Sequence, residues 1–192
     1  MTRHRRSEET VRRLLDTALE VHPADFTLRA VTTRSGVSMG SVYHHFGSLE
    51  GLAAALYSRC MDELLGTLVA ATEEAADARD GVRRVVRAYL GFTARHPDRA
   101  RFIHAAPYAL DLGPYAERIA EAKASRLARL NAWIGARMEE GAVARLPAAQ
   151  VEMLLIGPVA EVSRRWLAGV PDIDLDEAAR VLPDRVWLSL GG

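Results

Sequence analysis

Two short helices with capped ends follow one another near the start of the chain, and they constrain the fold more than any other feature. Thr27 is a typical N-cap for a predicted helix at 28–35, with apolar residues placed as a hydrophobic staple around it. Ser38 repeats the device for a helix at 39–46, and a glycine follows each helix. With a predicted amphipathic helix at 8–21, this order is a helix-turn-helix, whose second helix typically enters the major groove of DNA.

The turn between these helices also matches a catalytic pattern. Residues 36–40, GVSMG, fit G-x-S-x-G, which surrounds the nucleophile of many hydrolases. That nucleophile needs a buried strand directly before it, whereas residues 28–34, LRAVTTR, are mixed and polar, and no strand is predicted anywhere in the chain. We therefore interpret Ser38 as a helix cap, assign no catalytic residue, and predict that the chain is not an enzyme.

The composition excludes several other classes of protein. Of the 192 residues 49% are apolar, which is enough for a core, and the formal net charge is +0. A single cysteine, Cys60, allows neither a disulfide framework nor a cysteine-based zinc site. No apolar signal segment follows the basic start, and no apolar run reaches the length of a membrane span. These features predict a cytoplasmic protein with no membrane partner.

No metal or other cofactor is predicted. His44 and His45 are neighbours, so on a helix their side chains point about 100° apart and do not chelate one ion. The acidic segment 172–176, DIDLD, begins like a calcium loop, but Glu177 stands where the turn glycine belongs. We interpret this segment as the acidic start of the last helix.

Arginines are concentrated at the start of the chain, where only Glu8 and Glu9 oppose them. This segment is interpreted either as a basic patch that meets phosphates or as a solvated, partly disordered tail, and the sequence favours neither. The arginines concerned are Arg3, Arg5, Arg6, Arg12 and Arg13.

The rest of the chain is predicted to be helix after helix, with no internal repeat and no low-complexity linker. The fold class is therefore all-α: a three-helix helix-turn-helix module, residues 1–48, continuous with a larger helical domain, residues 49–192. Pro183 is expected to interrupt the last helix. The later helices are expected at 49–76, 81–95, 98–107, 114–140, 147–168 and 176–190.

The second helix of the module has two distinct faces. Val42 and Phe46 lie one turn apart and are expected to face the core. Gly40 allows the backbone to approach a surface closely, and the helix N-terminus suits phosphate. The residues expected to face outward, as candidates for contacts with DNA, are Met39, Gly40, Ser41, Tyr43, His44 and His45.

Between residues 10 and 57 the sequence strongly resembles the tetracycline-repressor (TetR) family of bacterial transcription regulators. The resemblance lies in LLDTA at 14–18, TLR at 27–29, GVS at 36–38 and SVYHHF at 41–46, followed by a serine-capped helix. It implies a homodimer whose two short helices bind a palindromic double-stranded DNA operator. In the family's pattern Thr27, Ser38, Tyr43 and His45 contact phosphates, Arg29, Met39 and Ser41 approach bases, and His44 often contacts DNA.

The resemblance also implies a small-molecule effector that is bound by the later helices and releases the operator. Aromatic and polar residues on these helices are candidates for its pocket, although core packing is the commoner role of such residues. The candidates are Tyr89, Phe92, Phe102, His104, Tyr108, Trp133 and Met138.

The last two helices are expected to pair with a second subunit in a four-helix bundle. The same residues could equally form intramolecular core. One apolar face consists of Met153, Leu154, Ile156, Gly157, Val159, Ala160 and Trp166, and the other of Val181, Val186, Leu188 and Leu190.

The sequence thus predicts a ligand-responsive transcriptional regulator, a repressor, without naming its ligand or operator. Two alternatives stay open: an all-helical enzyme or ligand carrier, and an interaction protein that keeps the fold but has lost DNA binding. Leu49 favours the latter, because the family usually has a phosphate-binding lysine at this position. The arginines before Arg13 are, as a hypothesis, a replacement for that contact.

Overall fold

The computed structural model describes residues 3–191, with side chains from residue 5 onward. This part of the chain contains ten α-helices and 3-10 turns at Pro23–Asp25 and Gly113–Tyr115, and its only β-pairing is an isolated bridge between Val143 and Gly191. The predicted all-α fold is confirmed. No described helix is both long enough and apolar enough to span a bilayer. The helices are α1 (Arg3–Leu19), α2 (Leu28–Ser35), α3 (Met39–Phe46), α4 (Leu49–Glu73), α5 (Ala78–Arg95), α6 (Pro97–Ala109), α7 (Ala116–Glu139), α8 (Ala148–Leu155), α9 (Gly157–Leu167) and α10 (Leu175–Leu190).

The arginine-rich start of the chain is helical. α1 begins at Arg3, earlier than the predicted start at residue 8. Its core side carries Leu14 and Ala18, both 0% exposed, while the arginines from residue 5 onward are exposed. The described part of this segment is therefore a helical basic surface and not a disordered tail. Its exposed arginines are Arg5, Arg6, Arg12 and Arg13, and the side chain of Arg3 lies outside the described side chains.

Two predictions about the helices near the end of the chain were wrong. The single helix expected at 147–168 is divided into α8 and α9 at Ile156. The division falls there because Pro158 has no backbone N–H and suits the first turn of a new helix. Pro183, by contrast, does not interrupt α10, which continues through it to Leu190. Pro183 is buried, and α10 packs on α5, α8 and α9, so tertiary packing outweighs the loss of one helical hydrogen bond.

The described chain divides into two compact units. The first consists of the residues up to Met61 together with Arg101–Ala122, and the second of Asp62–Ala100 together with the chain from Lys123 onward. The unit that holds the helix-turn-helix is therefore longer than the predicted module, which ends at Ser48. The functional division at Ser48 stays a prediction.

In the second unit α5 packs on α9 and α10. Its buried side is mainly valine and aromatic, but a polar pair lies within it. The hydroxyls of Thr93 and Ser163 are 2.9 Å apart, and both residues are 0% exposed. The Thr93 hydroxyl also contacts the Tyr89 carbonyl oxygen at 3.2 Å. A buried polar pair of this kind is stable only in one register, so it fixes how α5 and α9 are aligned.

The pH dependence of the unfolding free energy tests the ion pairs of Glu161 in α9. Hydrogen bonds from the Arg164 and Arg165 guanidiniums at 2.6 to 2.8 Å lower the pKa of its carboxyl to about 2, from 4.5 in a model peptide. Because the pKa is lower in the folded state, the ionised carboxylate stabilises the fold above pH 4.5, and this contribution is lost as the pH falls towards 2. We expect the difference in unfolding free energy between wild type and Glu161→Gln to shrink over that range. Denaturant unfolding at several pH values measures it.

The control for this titration is Glu152→Gln, at an exposed glutamate of the preceding helix. A difference between wild type and Glu161→Gln that stays constant from pH 6 to pH 2 would contradict the assignment of the carboxylate to these two arginines.

Candidate nucleic-acid interface

Hydrogen-bonded caps define both helices of the helix-turn-helix. Thr27 Oγ1 accepts a hydrogen bond from the Ala30 backbone N–H at 3.1 Å, and α2 begins at the predicted residue. Ser38 Oγ accepts one from the Ser41 N–H at 3.2 Å, and α3 follows directly. Gly36, between the helices, has φ +65°, a left-handed conformation that favours glycine. The predicted bounds of both helices are confirmed, because local capping determines them.

One side of α3 is buried in the first unit. Val42 is 0% exposed and Phe46 is 7% exposed, as their one-turn spacing predicts. Leu14 of α1 and Val31 of α2, also 0% exposed, contribute to the core of the same unit. With one face of α3 held in this way, its other face is left on the surface.

Of the nine residues predicted to bind DNA, Thr27 and Arg29 belong to α2 and its N-cap, and the others belong to α3 and its N-cap. Seven of the nine are exposed, and Ser41 and His45 are half-buried. Met39 and Tyr43 are the large apolar members, with 56% and 52% of their surface exposed. We call these nine residues the reading surface: Thr27, Arg29, Ser38, Met39, Gly40, Ser41, Tyr43, His44 and His45.

The DNA contacts of the reading surface stay a prediction, which its chemistry suits both for phosphates and for bases. The first-turn N–H groups of α2 and α3 carry the partial positive charge of a helix N-terminus, which attracts phosphate. The Arg29 guanidinium and the Tyr43 hydroxyl can donate hydrogen bonds to phosphates or to base edges. Met39 offers an apolar contact for a thymine methyl group. This chemistry matches a duplex DNA site.

The rings of the adjacent histidines contact each other. The ring centroids of His44 and His45 are 4.9 Å apart and the rings meet edge to face, at 68°. Among the side chains that the structure describes, residues 5–191, no group of three from histidine, cysteine, aspartate and glutamate is placed to hold a metal ion.

Four of the residues predicted to line an effector pocket belong to the second unit. Tyr89 and Phe92 of α5 are buried, and the Phe92 ring lies 5.2 Å from the His96 ring. Trp133 and Met138 of α7 are half-buried. The Trp133 indole packs directly on the backbone of α5 at a glycine, and the Arg137 guanidinium lies 5.7 Å from the centre of its ring. Their role in effector binding stays a prediction.

The other three belong to the first unit and differ from one another. Phe102 is 1% exposed and its ring lies 5.5 Å from the Phe26 ring, so it contributes to the core of that unit. His104 is half-buried, whereas Tyr108 is 89% exposed. The three therefore occupy a core, an intermediate and a surface position, and their role in effector binding also stays a prediction.

The faces predicted for dimerisation expose several apolar side chains. Met153 of α8 is 63% exposed, and Val181 and Leu188 of α10 are 49% and 70% exposed. Gly157 is exposed as well. The remaining members are buried (Val159, Val186 and Leu190) or half-buried (Leu154, Ile156, Ala160 and Trp166).

Gly51 and Tyr115, near the junction of α3 and α4, were not predicted from the sequence to contribute to the site. Gly51, in the first turn of α4, lies so close to the end of α3 that a Cβ would overlap the Phe46 carbonyl oxygen. The Tyr115 hydroxyl lies 2.9 Å from Ser48 Oγ, at the N-cap of α4. For Gly51 the sequence held a signal, because a glycine stands in the first turn of an alanine-rich helix. The contact between Tyr115 and Ser48 joins residues 67 positions apart and leaves no local signal.

A capped helix-turn-helix with an exposed reading surface, in an all-helical chain, defines the class of helix-turn-helix DNA-binding proteins. The sequence model of the bacterial regulatory proteins of the tetR family matches residues 14–56. The similarity of the chain to this family thus lies in the helix-turn-helix and in the elements next to it, over these residues.

Individual proteins show the same similarity. The chain is 48% identical over 58 residues to the transcriptional regulator SrpR of Pseudomonas putida, a match that covers 28% of this chain and 27% of SrpR. Matches to the curated relatives span 27% to 43% of their length. The crystal structure of a TetR-family regulator from Pectobacterium atrosepticum has a TM-score of 0.68 and 26% identity, covering 98% of this chain and 95% of that one. For one from Marinobacter aquaeolei VT8, the TM-score is 0.76 at 18% identity, and the coverage is 98% of both chains.

Proposed function

We propose that this protein is a ligand-responsive transcriptional repressor that binds a palindromic DNA operator as a homodimer and releases it when a small molecule binds. The reading surface carries this proposal. Its residues lie on two capped helices whose opposite sides are buried, so the exposed face of α3 is held ready to enter a major groove.

The exposed apolar side chains of α8 and α10 support the homodimer. Met153, Val181 and Leu188 are each about half exposed or more, and Val181 and Leu188 are seven positions apart, on one face of α10. An apolar face of this kind supports a partner that covers it. A two-fold dimer presents two copies of α3, which suits an operator with two symmetric half-sites.

Effector release requires only that the small molecule bind one arrangement of the dimer better than the other. A difference of a few kcal/mol is enough to change operator affinity by a factor of about 100. Trp133 and Met138 in the second unit are our candidates for contact with the effector, because both are large, half-buried and aromatic or apolar.

Selection of random duplex DNA on the purified protein, at two salt concentrations, tests the proposal. We expect one short palindrome to be enriched, with an affinity that falls steeply as salt rises. Sequence-independent binding alone, or no binding, would overturn the operator proposal and favour an interaction protein that has lost specific DNA binding.

The basic start of α1 leads to a prediction about salt dependence. Arg5 and Arg6 are exposed, and Leu49 stands where a phosphate-binding lysine is usual. If both arginines contact phosphates, Arg5→Gln with Arg6→Gln lowers the slope of log affinity against log salt by up to about 1.8, since each phosphate contact contributes about 0.9. Fluorescence anisotropy with the selected operator measures this slope.

A matched control removes two exposed arginines elsewhere, Arg118 of α7 and Arg180 of α10. An equal change in slope for both double variants would mean that only net charge matters, and that Arg5 and Arg6 make no specific contact.

A further inference from the structure

The turn that joins α3 to α4 is held by a tyrosine distant in the sequence. Ser48 caps α4: its Oγ accepts a hydrogen bond from the Gly51 N–H at 3.0 Å. The same oxygen lies 2.9 Å from the hydroxyl of Tyr115, in a hydrogen bond for which either group can be the donor. The cap of α4 is therefore fixed from both sides, by its own helix and by Tyr115.

The junction between α3 and α4 leaves almost no room for relative movement. Gly51 is buried, and a Cβ at this position would overlap the Phe46 carbonyl oxygen and lie 3.1 Å from the Tyr115 hydroxyl. Gly47, which ends α3, has φ +79° and donates its N–H to the Tyr43 carbonyl at 3.0 Å. A change in the first turn of α4 must therefore shift the end of α3 as well.

Tyr115 is itself anchored in the first unit. It ends the 3-10 turn Gly113–Tyr115, and its N–H donates to the Leu112 carbonyl at 3.0 Å. One turn further on, Ile119 is 7% exposed and is the buried residue of α7 in this unit. The backbone of Tyr115 is thus held by the 3-10 turn, and the chain that follows it is held by the buried side chain of Ile119. The hydroxyl of Tyr115 is therefore presented at a fixed place.

We propose that Tyr115 is a positioning residue for the reading surface: through Ser48 it holds α3 at the angle that binds the operator. The proposal rests on the proposed function, because it concerns the same α3. Without the hydroxyl link, the free protein samples other angles of α3, and operator affinity falls in proportion to the population that keeps the competent angle.

The test compares Tyr115→Phe, which removes only the hydroxyl, with Tyr57→Phe. Tyr57 is a half-buried tyrosine of α4 in the same unit, and burial raises the pKa of its hydroxyl. For Tyr115→Phe we expect the operator Kd to rise about three- to tenfold, which corresponds to one neutral hydrogen bond. Amide exchange of α3 and of Gly51 in the DNA-free protein should accelerate by a similar factor. Neither change is expected for Tyr57→Phe.

A double-mutant cycle assigns the effect to the Ser48 link. Ser48→Ala weakens binding by itself, because it also removes the cap, but adding Tyr115→Phe to it should cost less than a further factor of two. Ser48→Thr, which keeps a hydroxyl, should restore most of the affinity. Additive effects of Tyr115→Phe and Ser48→Ala on operator affinity would overturn the link.

A purely structural role of Tyr115 has a different signature. In that case Tyr115→Phe would lower the free energy of unfolding, while operator affinity and the exchange of α3 amides match those of Tyr57→Phe, and the proposal would be overturned. If the wild type selects no operator, the proposed function fails. Amide exchange in the DNA-free protein still decides whether Tyr115 restrains α3.

Discussion

Replacing Gly51 by alanine is expected to weaken operator binding strongly and to destabilise the first unit. A Cβ at this position overlaps the carbonyl oxygen of Phe46, which is backbone and cannot turn aside as a side chain would. The first turn of α4 and the end of α3 must then separate. We expect the free energy of unfolding to fall by about 3 kcal/mol or more, which is the upper range for overpacking. This net fall already includes a gain of up to about 1 kcal/mol from the better helix propensity of alanine.

Operator affinity should fall by more than the smaller number of folded molecules explains. Even the folded fraction of Gly51→Ala carries α3 at a changed angle, so we expect Kd to rise at least about 100-fold, or about 2.8 kcal/mol. Urea unfolding measures the stability, and anisotropy with the selected operator measures the affinity of the folded protein.

Gly66→Ala, on the same helix, is the matched control. A Cβ at Gly66 comes no closer than 3.4 Å to another atom, and that atom belongs to the guanidinium of Arg126, which can move aside. We expect Gly66→Ala to leave operator binding unchanged and stability equal or slightly higher. Normal operator affinity in Gly51→Ala would show that the angle between α3 and α4 can change without cost to recognition.

The helix-turn-helix could be predicted from sequence to the residue because its signals are local. The N-caps Thr27 and Ser38 each bond to an N–H three positions later, and glycines follow both helices. These interactions depend on side-chain chemistry within one turn of helix, so the local sequence alone is enough to predict them. The burial of Val42 and Phe46 follows from helical spacing in the same way.

Prolines were harder to interpret, because their effect depends on packing. Pro158 and Pro183 have the same local chemistry, yet a helix begins at the first and continues through the second. α10 packs on α5, α8 and α9, and its buried residues lie on both sides of Pro183, with Leu175 before it and Val186 and Leu190 after it. Local sequence cannot supply that information, since it concerns contacts with distant helices.

The candidate site likewise combines features that local sequence predicts with contacts between distant residues that it does not predict. On α3, helical periodicity predicted the exposure of Met39, Gly40, Tyr43 and His44. It also predicted that Ser41 and His45 face outward, whereas both are half-buried. The contacts of Tyr115 with Ser48, and of Trp133 with Gly81, join residues far apart in the chain. For the effector candidates, composition gave large and aromatic residues, but it could not separate Phe102 in a core from Tyr108 on the surface.

Gly81→Ala is expected to have the second large effect, in the second unit. Gly81 is buried on α5, and a Cβ there would overlap the six-membered ring of the Trp133 indole. The indole is rigid, so the whole ring must leave its place on α5, and α7 loses that contact. We expect a net loss of about 1–3 kcal/mol in unfolding free energy, although alanine is the better helix former.

The readout for Trp133 must separate it from the other two tryptophans of the chain. Labelling with 5-fluorotryptophan gives one fluorine signal for each, and Trp133→Phe assigns the relevant one. In Gly81→Ala this signal should shift towards the position of a solvent-exposed indole, while the signals of Trp166 and Trp187 stay in place.

Gly91→Ala, on the same helix, is the control, because a Cβ there meets only the end of the Arg95 side chain at 3.7 Å. It should keep the Trp133 signal and be as stable as the wild type, or up to about 1 kcal/mol more so. If Gly81→Ala behaves like Gly91→Ala in both measurements, the indole does not rest on α5. Trp133 would then be free to move, and its candidacy for the effector site would depend on a mobile ring instead of one held against the helix.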